Sequence, residues 1–355
     1  MAKNKSPNKA VILVGGPGTR LRPLTDDRPK SVVPVLNYPA IEHTFAYLKK
    51  YGVTEIILAV NYLPDVIEKC FGDGSRCGIK LIYNMEKEPL GTAGAVKNAA
   101  RYIDGTFFVF NGDLFTDLNL AEMFNFHRKS KAKATISLTW VDDPSRFGVV
   151  ETDKNQKVKA FIEKPPLAEA TTHWINAGTY VLEPEVLDHI PGNQHYMFEN
   201  GLYPSLLKAG EPVYGFPYRG FWLDMGTPAT YFSINSDLLT SKVASPLVAP
   251  LTQGKDGVRC GEDVVIHPSA KLNSPVIIGG GCRIGAGARI TGPVVMGPGC
   301  SIEDGAVVEN SILWDNVTVR TNRVLSHCIA CSCTVIQEKT NDLIITQKKT
   351  TPLPR

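Results

Sequence analysis

Hydrophobic and polar positions follow two different rhythms along this chain, and the change falls near residue 264. Before it, short apolar runs such as 55–60 alternate with stretches such as 40–51, in which apolar residues recur at helical spacing. Buried strands that alternate with amphipathic helices predict an α/β fold, Rossmann-like, with a mixed, mainly parallel sheet flanked by helices. Ligands bind such sheets beyond the carboxyl ends of the strands.

The elements of this first region follow from the same patterns. Strands are predicted over 11–14, 55–60, 79–83, 106–110, 133–141, 147–151, 158–163, 174–182 and 213–224, and helices over 40–51, 64–71, 93–102 and 228–239.

After residue 264, aliphatic residues recur every six positions. The series runs through Ile266, Leu272, Ile278, Ile284, Ile290, Met296, Ile302 and Val308, slips by one residue, and resumes at Leu313, Val319 and Leu325. This period predicts a three-sided parallel β-helix made of hexapeptide repeats, with the aliphatic side chains stacked inside. We expect a catalytic domain over 1–240, a linker over 241–262 and a β-helix domain over 263–355, with a loosely held polar tail after Lys339.

Composition narrows the class of protein. The net charge of +3 over 355 residues is spread thinly, which argues against nucleic acid or a membrane surface as a partner. Residues 1–9 are polar, without the apolar stretch of a signal peptide, and predict a frayed tail. With no apolar run near the ~20 residues of a membrane span, these features favour a cytoplasmic protein. The eight cysteines are scattered, as expected of free thiols in a reducing compartment.

The glycine-rich stretch after the first strand carries the clearest chemistry. Gly15, Gly16 and Gly18 let the backbone approach a ligand closely, so that amide groups can point at anionic oxygens. Arg20 and Lys30 bring cations to the same place, as a polyphosphate requires. The stretch lacks the Gly-Lys-Ser/Thr of a Walker A loop and the G-x-G-x-x-G of a dinucleotide fold.

The whole string resembles the signature loop of sugar-phosphate nucleotidylyltransferases, also called nucleotide-sugar pyrophosphorylases. The matching positions are Gly15, Gly16, Gly18, Thr19, Arg20, Leu21, Pro23, Leu24, Thr25, Pro29, Lys30 and Pro34. The string departs at Val14, where alanine is common, and at Ser31, where the family usually has a second proline. The resemblance implies an enzyme that joins a nucleoside triphosphate to a sugar 1-phosphate and releases pyrophosphate. It also implies that the β-helix is left-handed.

Two aspartates stand at strand ends. Asp113 follows Asn111-Gly112, and Asp224 ends the string 220–224. Each alone could be a turn or capping residue, but carboxylates also suit Mg²⁺, which takes one or two of them together with substrate phosphates. In the family the matching aspartates hold Mg²⁺. The resemblance further assigns Arg20 to the β- and γ-phosphates and Lys30 to the α-phosphate, and it makes Arg20, Lys30, Asp113, Lys164 and Asp224 the catalytic set.

Further motifs complete the expected site. Lys164 matches the lysine that binds the sugar phosphate, and Gly148, Glu163, Asn176, Gly178 and Trp222 complete the sugar-phosphate site. The expected nucleotide site comprises Val14, Gly15, Gly16, Gly18, Thr19, Arg20, Lys30, Glu88, Pro89, Gly91, Thr92 and Gly112. Without the resemblance, Gly178 could be a bulge glycine and Thr92 a helix N-cap. The string 88–95 is most like mannose-1-phosphate guanylyltransferases, which favours GTP and mannose 1-phosphate as substrates and GDP-mannose as product.

Alternatives stay open at this point. The substrates could be dTTP or UTP with glucose 1-phosphate, or the chain could be a regulatory subunit that binds a nucleotide sugar without making it. Hexapeptide β-helices also serve acyltransferases that use a histidine base, and the chain has His267 and His327. His327, Cys328, Cys331 and Cys333 together suggest zinc, but a second ligand pair is missing. The flank of the β-helix is expected to support a homo-oligomer.

Overall fold

The structure is a computed structural model that describes residues 6–240, 242–243, 247 and 257–354. Most of the linker predicted over 241–262 and the first five residues of the predicted tail lie outside the described residues. The tail is shorter than predicted, because Lys9 already begins a strand. Its ammonium group lies 3.4 Å from a Glu55 oxygen and 2.7 Å from an Asp104 oxygen, and these carboxylates fix the chain there.

The helices and strands are numbered in chain order. The helices are α1 (Ala40–Lys50), α2 (Pro64–Phe71), α3 (Gly91–Asn98), α4 (Leu120–Lys129), α5 (Tyr203–Lys208) and α6 (Pro228–Leu239). The strands up to residue 224 are β1 (Lys9–Leu13), β2 (Pro34–Val35), β3 (Tyr38–Pro39), β4 (Glu55–Val60), β5 (Lys80–Met85), β6 (Phe107–Asn111), β7 (Leu114–Thr116), β8 (Ala134–Trp140), β9 (Gly148–Thr152), β10 (Val158–Glu163), β11 (Trp174–Leu182), β12 (Val213–Tyr218) and β13 (Trp222–Asp224). The later strands are β14 (Val258–Cys260), β15 (Val265–Ile266), β16 (Lys271–Asn273), β17 (Val276–Ile278), β18 (Arg283–Ile284), β19 (Arg289–Thr291), β20 (Val294–Met296), β21 (Ser301–Ile302), β22 (Val307–Glu309), β23 (Ile312–Leu313), β24 (Thr318–Val319), β25 (Val324–Ser326), β26 (Ile329–Ala330), β27 (Val335–Ile336), β28 (Thr340–Asn341), β29 (Leu343–Ile345) and β30 (Thr350–Pro352).

The chain forms two compact units that do not follow the order of the sequence. The first, the sheet unit, comprises Met1–Gly16 and Thr44–Trp222, and the second, the β-helix unit, comprises Pro17–His43 and Leu223–Arg355. The glycine-rich loop is therefore divided after Gly16, and its cationic half belongs to the unit that contains the β-helix. The sequence boundaries predicted at 240 and 263 stay a prediction.

The sheet unit is built on a nine-stranded sheet that confirms the mixed α/β fold. The strands lie in the order β10-β9-β11-β6-β1-β4-β5, while β8 pairs with β11 and β12. The run from β6 to β5 is parallel, whereas β11 is antiparallel to β6, β8 and β9. The carboxyl ends of β1, β4 and β6 therefore meet at one edge, where ligands bind such sheets.

Helices cover this sheet with apolar faces. Ala93, Val96 and Ala99 of the α3 region and Leu206 of α5 belong to the same buried core as the strands. Helix α4 is absent from the prediction, although Asn119 caps it by accepting the amide protons of Ala121 and Glu122. The strand predicted over 213–224 is interrupted after Tyr218 and resumes at Trp222.

The β-helix unit confirms the six-residue period. Two of its sheets have five strands each, in the orders β15-β18-β21-β24-β27 and β16-β19-β22-β25-β28. The third runs β14-β17-β20-β23-β26-β29-β30. All pairs between coils are parallel, and the inward residues such as Ile284, Ile302 and Val319 are buried in one core, as expected of a left-handed β-helix. Ser301 pairs with Thr318, one residue closer in sequence than the preceding pair of Arg283 and Ser301, which explains the slip.

The tail after Lys339 is not loosely held, so that expectation was wrong. Strand β29 pairs with β26 of the preceding coil, and β30 returns antiparallel to β29. Leu353 is only 3% exposed, and the Lys349 ammonium lies 2.7 Å from Asp26. Three consecutive apolar residues at 343–345, of which Ile344 is buried, and the buried Leu353 hold a segment whose composition is otherwise polar.

Candidate active site

A cavity of about 320 Å³ lies at the carboxyl ends of β1, β4 and β6 in the sheet unit. Its lining residues are Leu13, Gly15, Gly16, Ala59, Asn61, Glu86, Pro89, Gly91, Thr92, Ala95, Asn111, Asp113, His195 and Met197. A Cβ atom placed on Gly16 would meet nothing within 4 Å, so this backbone faces open space. Of the residues predicted to form the site, the structure thus brings to this cavity Gly15, Gly16, Pro89, Gly91, Thr92 and Asp113.

The loop before α3 is shaped by Gly91. Its φ of 72° is in the left-handed region, and an added Cβ would lie 2.8 Å from the Tyr196 carbonyl oxygen. That oxygen accepts the amide protons of Ala93 and Gly94, so the first turn of α3 is fixed against residue 196. Thr92 lies inside the helix rather than at its N-cap position, which Leu90 occupies. Its hydroxyl accepts the Phe198 amide proton at 2.9 Å and donates to a Glu199 oxygen at 3.4 Å.

Glu86 is a carboxylate in this cavity that sequence reasoning missed. Its Oε2 accepts the Leu90 amide proton at 3.0 Å, which holds the side chain against the loop. Burial raises the pKa of Glu86. Its position two residues before the recognised string 88–95, at the carboxyl end of β5, was the available signal.

The residues predicted to bind the sugar phosphate also lie in the sheet unit. Gly148 of β9 pairs directly with Glu163 of β10, and β9 pairs with β11 through Val149 and Ile175. Asn176 of β11 donates from Nδ2 to the Tyr180 hydroxyl at 2.8 Å and accepts the Gly178 amide proton at 3.0 Å.

Trp222 and Lys164 complete this set. The Trp222 indole donates to the Ala177 carbonyl oxygen at 2.9 Å. The ammonium group of Lys164, whose side chain is 63% exposed, lies 2.9 Å from a Glu163 oxygen. The φ of Lys164 is 47°, a region that few non-glycine residues adopt and that is often found at functional sites.

Two further side chains connect the cavity with these strands. Asn111 lines the cavity, and a Cβ on Gly178 would lie 2.6 Å from its Nδ2 atom. Glu199, which receives the Thr92 hydroxyl, has its pKa raised first by burial and further by the Glu163 charge. Asn111 belongs to the strand-end string that also contains Asp113, although it was not assigned a role, whereas Glu199 was not predicted because its signal is a contact with Thr92, far away in sequence.

The cationic half of the loop gathers around Asp224 in the β-helix unit. Lys30 Nζ lies 3.5 Å from Asp224 Oδ1, and Arg20 Nη2 lies 3.6 Å from Oδ2. Lys30 is only 14% exposed, at the start of a 3₁₀ turn over Lys30–Val32, whereas Arg20 is 64% exposed. The Thr25 hydroxyl donates to the Gly18 carbonyl oxygen at 2.8 Å and closes the loop between them.

The other predicted residues do not line the cavity. Val14 is 7% exposed, Glu88 is exposed, and Gly112 packs against Val14 and the Leu13 carbonyl oxygen. Thr19 begins a 3₁₀ turn after Gly18 in the β-helix unit. The roles predicted for these residues stay predictions.

The candidates for metal or acyl-transfer chemistry have other partners. His327 Nδ1 lies 2.7 Å from Asp342 Oδ1, while His267 contacts Ser269. Cys328 and Cys331 are buried, and burial raises the pKa of both thiols. Within the described ranges, no three His, Cys, Asp or Glu residues come close enough to hold a metal ion. In the same part of the chain, no helix is long and apolar enough to span a membrane.

Glycines that open a cavity at the edge of a mixed α/β sheet are typical of enzymes that bind phosphates, and the same stretch of sequence also carries Arg20 and Lys30. The chain belongs to the nucleotidyl transferase family, whose model matches residues 9–241. Residues 257–292 match the bacterial transferase hexapeptide repeat. Both the family and the fold predicted from the signature loop and the six-residue period are thereby confirmed.

Relatives with assigned activities cover most of the chain. A mannose-1-phosphate guanylyltransferase of Mycobacterium tuberculosis is 38% identical over 281 residues, which are 78% of this chain and 77% of the relative. A UTP–glucose-1-phosphate uridylyltransferase of Synechocystis is 36% identical over 322 residues, 86% of this chain and 83% of the relative. The crystal structure of HddC from Yersinia pseudotuberculosis complexed with GMP-PN has a TM-score of 0.57 and 31% identity, and covers 65% of this chain and 99% of that chain.

Proposed function

We propose that this protein joins GTP to mannose 1-phosphate and produces GDP-mannose and pyrophosphate. The observation that carries the proposal is the cavity of the sheet unit, where Gly15, Gly16 and Asp113 line one space with the loop that contains Gly91. Family membership supports the reaction class, and the guanylyltransferase of M. tuberculosis supports the choice of substrates.

The reaction needs positioning more than covalent help from the protein. An oxygen of the sugar phosphate attacks the α-phosphorus of the triphosphate, the new P–O bond forms in line, and the bond to pyrophosphate breaks. We assign Lys164 to the sugar phosphate, Lys30 to the α-phosphate and Arg20 to the β- and γ-phosphates. Their positive charges lower the barrier where negative charge grows, and Lys30, 14% exposed and close to Asp224, is held in place before the reaction begins.

Mg²⁺ fits the donor chemistry of this chain. The carboxylates of Asp113 and Asp224 are the hard oxygen ligands that the ion prefers, and it fills its remaining positions with water and phosphate oxygens. We propose these two aspartates as its ligands. The bound ion would neutralise charge on the departing pyrophosphate.

Glu86 supports guanine as the base. The Watson–Crick edge of guanine carries two neighbouring donors, N1–H and the N2 amino group, which a single carboxylate can accept together. Uracil and thymine offer one such donor. Glu86 lines the cavity, and because a carboxylate oxygen can accept two hydrogen bonds, Oε2 can bind one guanine donor beside the Leu90 amide while Oε1 binds the other.

The test is pyrophosphate release measured over a grid of four nucleoside triphosphates and five sugar 1-phosphates. We expect a single maximum at GTP with mannose 1-phosphate, and Glu86→Gln should reduce the preference for GTP over UTP at least about tenfold. Lys87→Gln, a change at the exposed neighbouring position, is the matched control and should leave the preference unchanged.

The uridylyltransferase relative makes UTP with glucose 1-phosphate the second candidate. A maximum at that pair would keep the reaction class and overturn the guanylyl assignment. Folded protein that is inactive over the whole grid would contradict the enzyme itself and favour a regulatory subunit. Self-association through the β-helix and a cytoplasmic location also remain proposals, which rest on the fold and on composition.

A further inference from the structure

Trp314, which follows β23 of the β-helix, reaches the segment that carries Lys30 at two places. The Arg28 guanidinium lies 4.7 Å from the centre of the indole ring. The indole Nε1–H donates to the Tyr231 hydroxyl at 2.9 Å, and that hydroxyl donates to the Pro34 carbonyl oxygen at 2.6 Å. Trp314 therefore contacts the chain before Lys30 directly, at Arg28, and contacts the chain after Lys30 through Tyr231, at Pro34.

These contacts are buried, and they pair the indole N–H and the tyrosine hydroxyl. Trp314 is 3% exposed and Tyr231 is fully buried. An indole has one N–H donor, and a tyrosine hydroxyl can accept one bond while it donates another. The loss of any partner leaves a buried polar group unsatisfied, which is costly, so the segment shifts or rearranges.

Helix α6 and the β-helix also hold the turn between β2 and β3, which follows Lys30 in the sequence. Leu36 and Asn37 have φ values of 46° and 68°, which L-residues rarely adopt. The Leu36 amide donates to Asn235 of α6 at 2.9 Å, and Asn37 Nδ2 donates to the Met296 carbonyl oxygen of β20 at 2.7 Å. The hairpin β2–β3 thus has a turn with two positive φ values, which α6 and β20 hold from outside the hairpin.

We propose that Trp314 is a positioning residue for Lys30, so that the β-helix sets the geometry of the phosphate-binding lysine. The inference rests on the role proposed above for Lys30. It gives the β-helix a part in the reaction itself, since the indole fixes where the lysine ammonium lies when charge develops. Trp314 touches no substrate and acts only through Arg28, Tyr231 and Pro34.

Graded variants separate the two contacts of the indole. Trp314→Phe keeps a ring beneath Arg28 and removes the N–H donor, Tyr231→Phe removes the hydroxyl, and Trp314→Leu removes both contacts. We expect kcat to fall about tenfold in each phenylalanine variant and further in Trp314→Leu, because small displacements of a catalytic group cost large factors in rate. The KM for the sugar 1-phosphate should not change.

A structural control comes from the interior of the same β-helix. Leu325 is fully buried in the β-helix core. Leu325→Ala opens a cavity, so it should lower Tm at least as much as Trp314→Phe while kcat stays at the wild-type value well below Tm. A fall in kcat that merely followed the loss of Tm in all variants would overturn the inference.

The last comparison uses Lys30→Ala as a background. If Trp314 acts through Lys30, Trp314→Phe lowers the residual turnover of Lys30→Ala no further. If Lys30→Ala itself keeps the wild-type kcat, the proposed role of Lys30 fails and the inference fails with it. If Lys30→Ala loses activity while Trp314→Leu retains it, or if Trp314→Phe has an equal effect with and without Lys30, only the inference is overturned.

Discussion

Gly15 and Gly16 in the sheet unit and Arg20 and Lys30 in the β-helix unit are neighbours in one loop, yet they offer a ligand different things. The glycines contribute backbone and empty space, and Gly16 has nothing within 4 Å of its missing side chain. The cations contribute charge that is already engaged, since both lie near Asp224. We therefore propose that the half with the glycines admits the ligand and that the half with the cations acts on it.

The difference also concerns what holds each half in place. The glycine half continues β1, at the centre of the nine-stranded sheet, and depends on the parallel ladder around it. The cationic half depends on side chains that arrive from much later in the sequence, Tyr231, Asn235 and Trp314 among them. A single motif in the sequence therefore has two supports, and each can be removed without the other.

The largest effect is expected at Asp113, which lines the cavity of the sheet unit. Asp113→Asn removes the negative charge that we assign to Mg²⁺ binding and keeps the shape of the side chain. We expect kcat to fall by about a thousandfold or more with an unchanged Tm. Asp73→Asn is the matched control at an exposed turn, where the carboxylate accepts the Ser75 amide proton, and should keep full activity. Activity of Asp113→Asn near that of Asp73→Asn would contradict the assignment.

The next effect concerns Gly91, which shapes the loop before α3 on another side of the same cavity. Gly91→Ala places a Cβ atom 2.8 Å from the Tyr196 carbonyl oxygen at a φ of 72°, so we expect a loss of about 1–3 kcal/mol in the free energy of unfolding. Gly105→Ala is the control, because its Cβ would meet nothing within 4 Å. Urea denaturation of both variants makes the measurement, and equal midpoints would show that Gly91 needs no special backbone.

A smaller effect concerns pH and the segment that carries Lys30. Burial lowers the pKa of His43 to about 4, and its Nε2–H donates to the Val35 carbonyl oxygen at 3.0 Å. His43 binds a proton near pH 6.5 in the unfolded chain but only near pH 4 in the folded protein. The free energy of unfolding therefore has its full value above about pH 6.5. It falls by an amount on the order of 2–3 kcal/mol as the pH drops towards 4.

His43→Gln, which keeps a donor but cannot titrate, should flatten this dependence. Urea midpoints at pH 7 and pH 4.5 give the comparison for both proteins. An equally steep loss in His43→Gln would assign the acid sensitivity to other groups.

Much of the fold could be predicted because its patterns are local. Strands such as β4, β10 and β11 and helices α2 and α6 have the predicted limits, since each is a run of one hydrophobic period between turn residues. Helix α4 was missed although its signals were present, since Asn119 caps it and the buried Leu120, Met123 and Phe124 lie at helical spacing. The ordered tail was missed because one buried leucine and a strand pair outweigh a polar composition.

The site shows the same limit more sharply. Gly15, Gly16, Gly91 and Asp113, which line the cavity, could be proposed from the sequence because motifs keep them in fixed strings. Glu86 was missed because it lies just outside the recognised string 88–95, and Glu199 was missed because it contacts Thr92 from a segment that no string records. The dependence of Lys30 on Trp314 is of this second kind, since the two residues lie in opposite halves of the chain and meet only through Arg28, Tyr231 and Pro34.

The most direct test of the division within the loop is to measure kcat and the KM for GTP in Gly16→Ala and Lys30→Ala side by side. We predict that Gly16→Ala, whose methyl group enters the cavity without a clash in the free protein, raises KM and leaves kcat near the wild-type value. Lys30→Ala should instead lower kcat by about a hundredfold or more, because its charge acts on the reacting phosphate. The same pattern of kcat and KM in both variants would contradict the division of the loop into a binding half and a catalytic half.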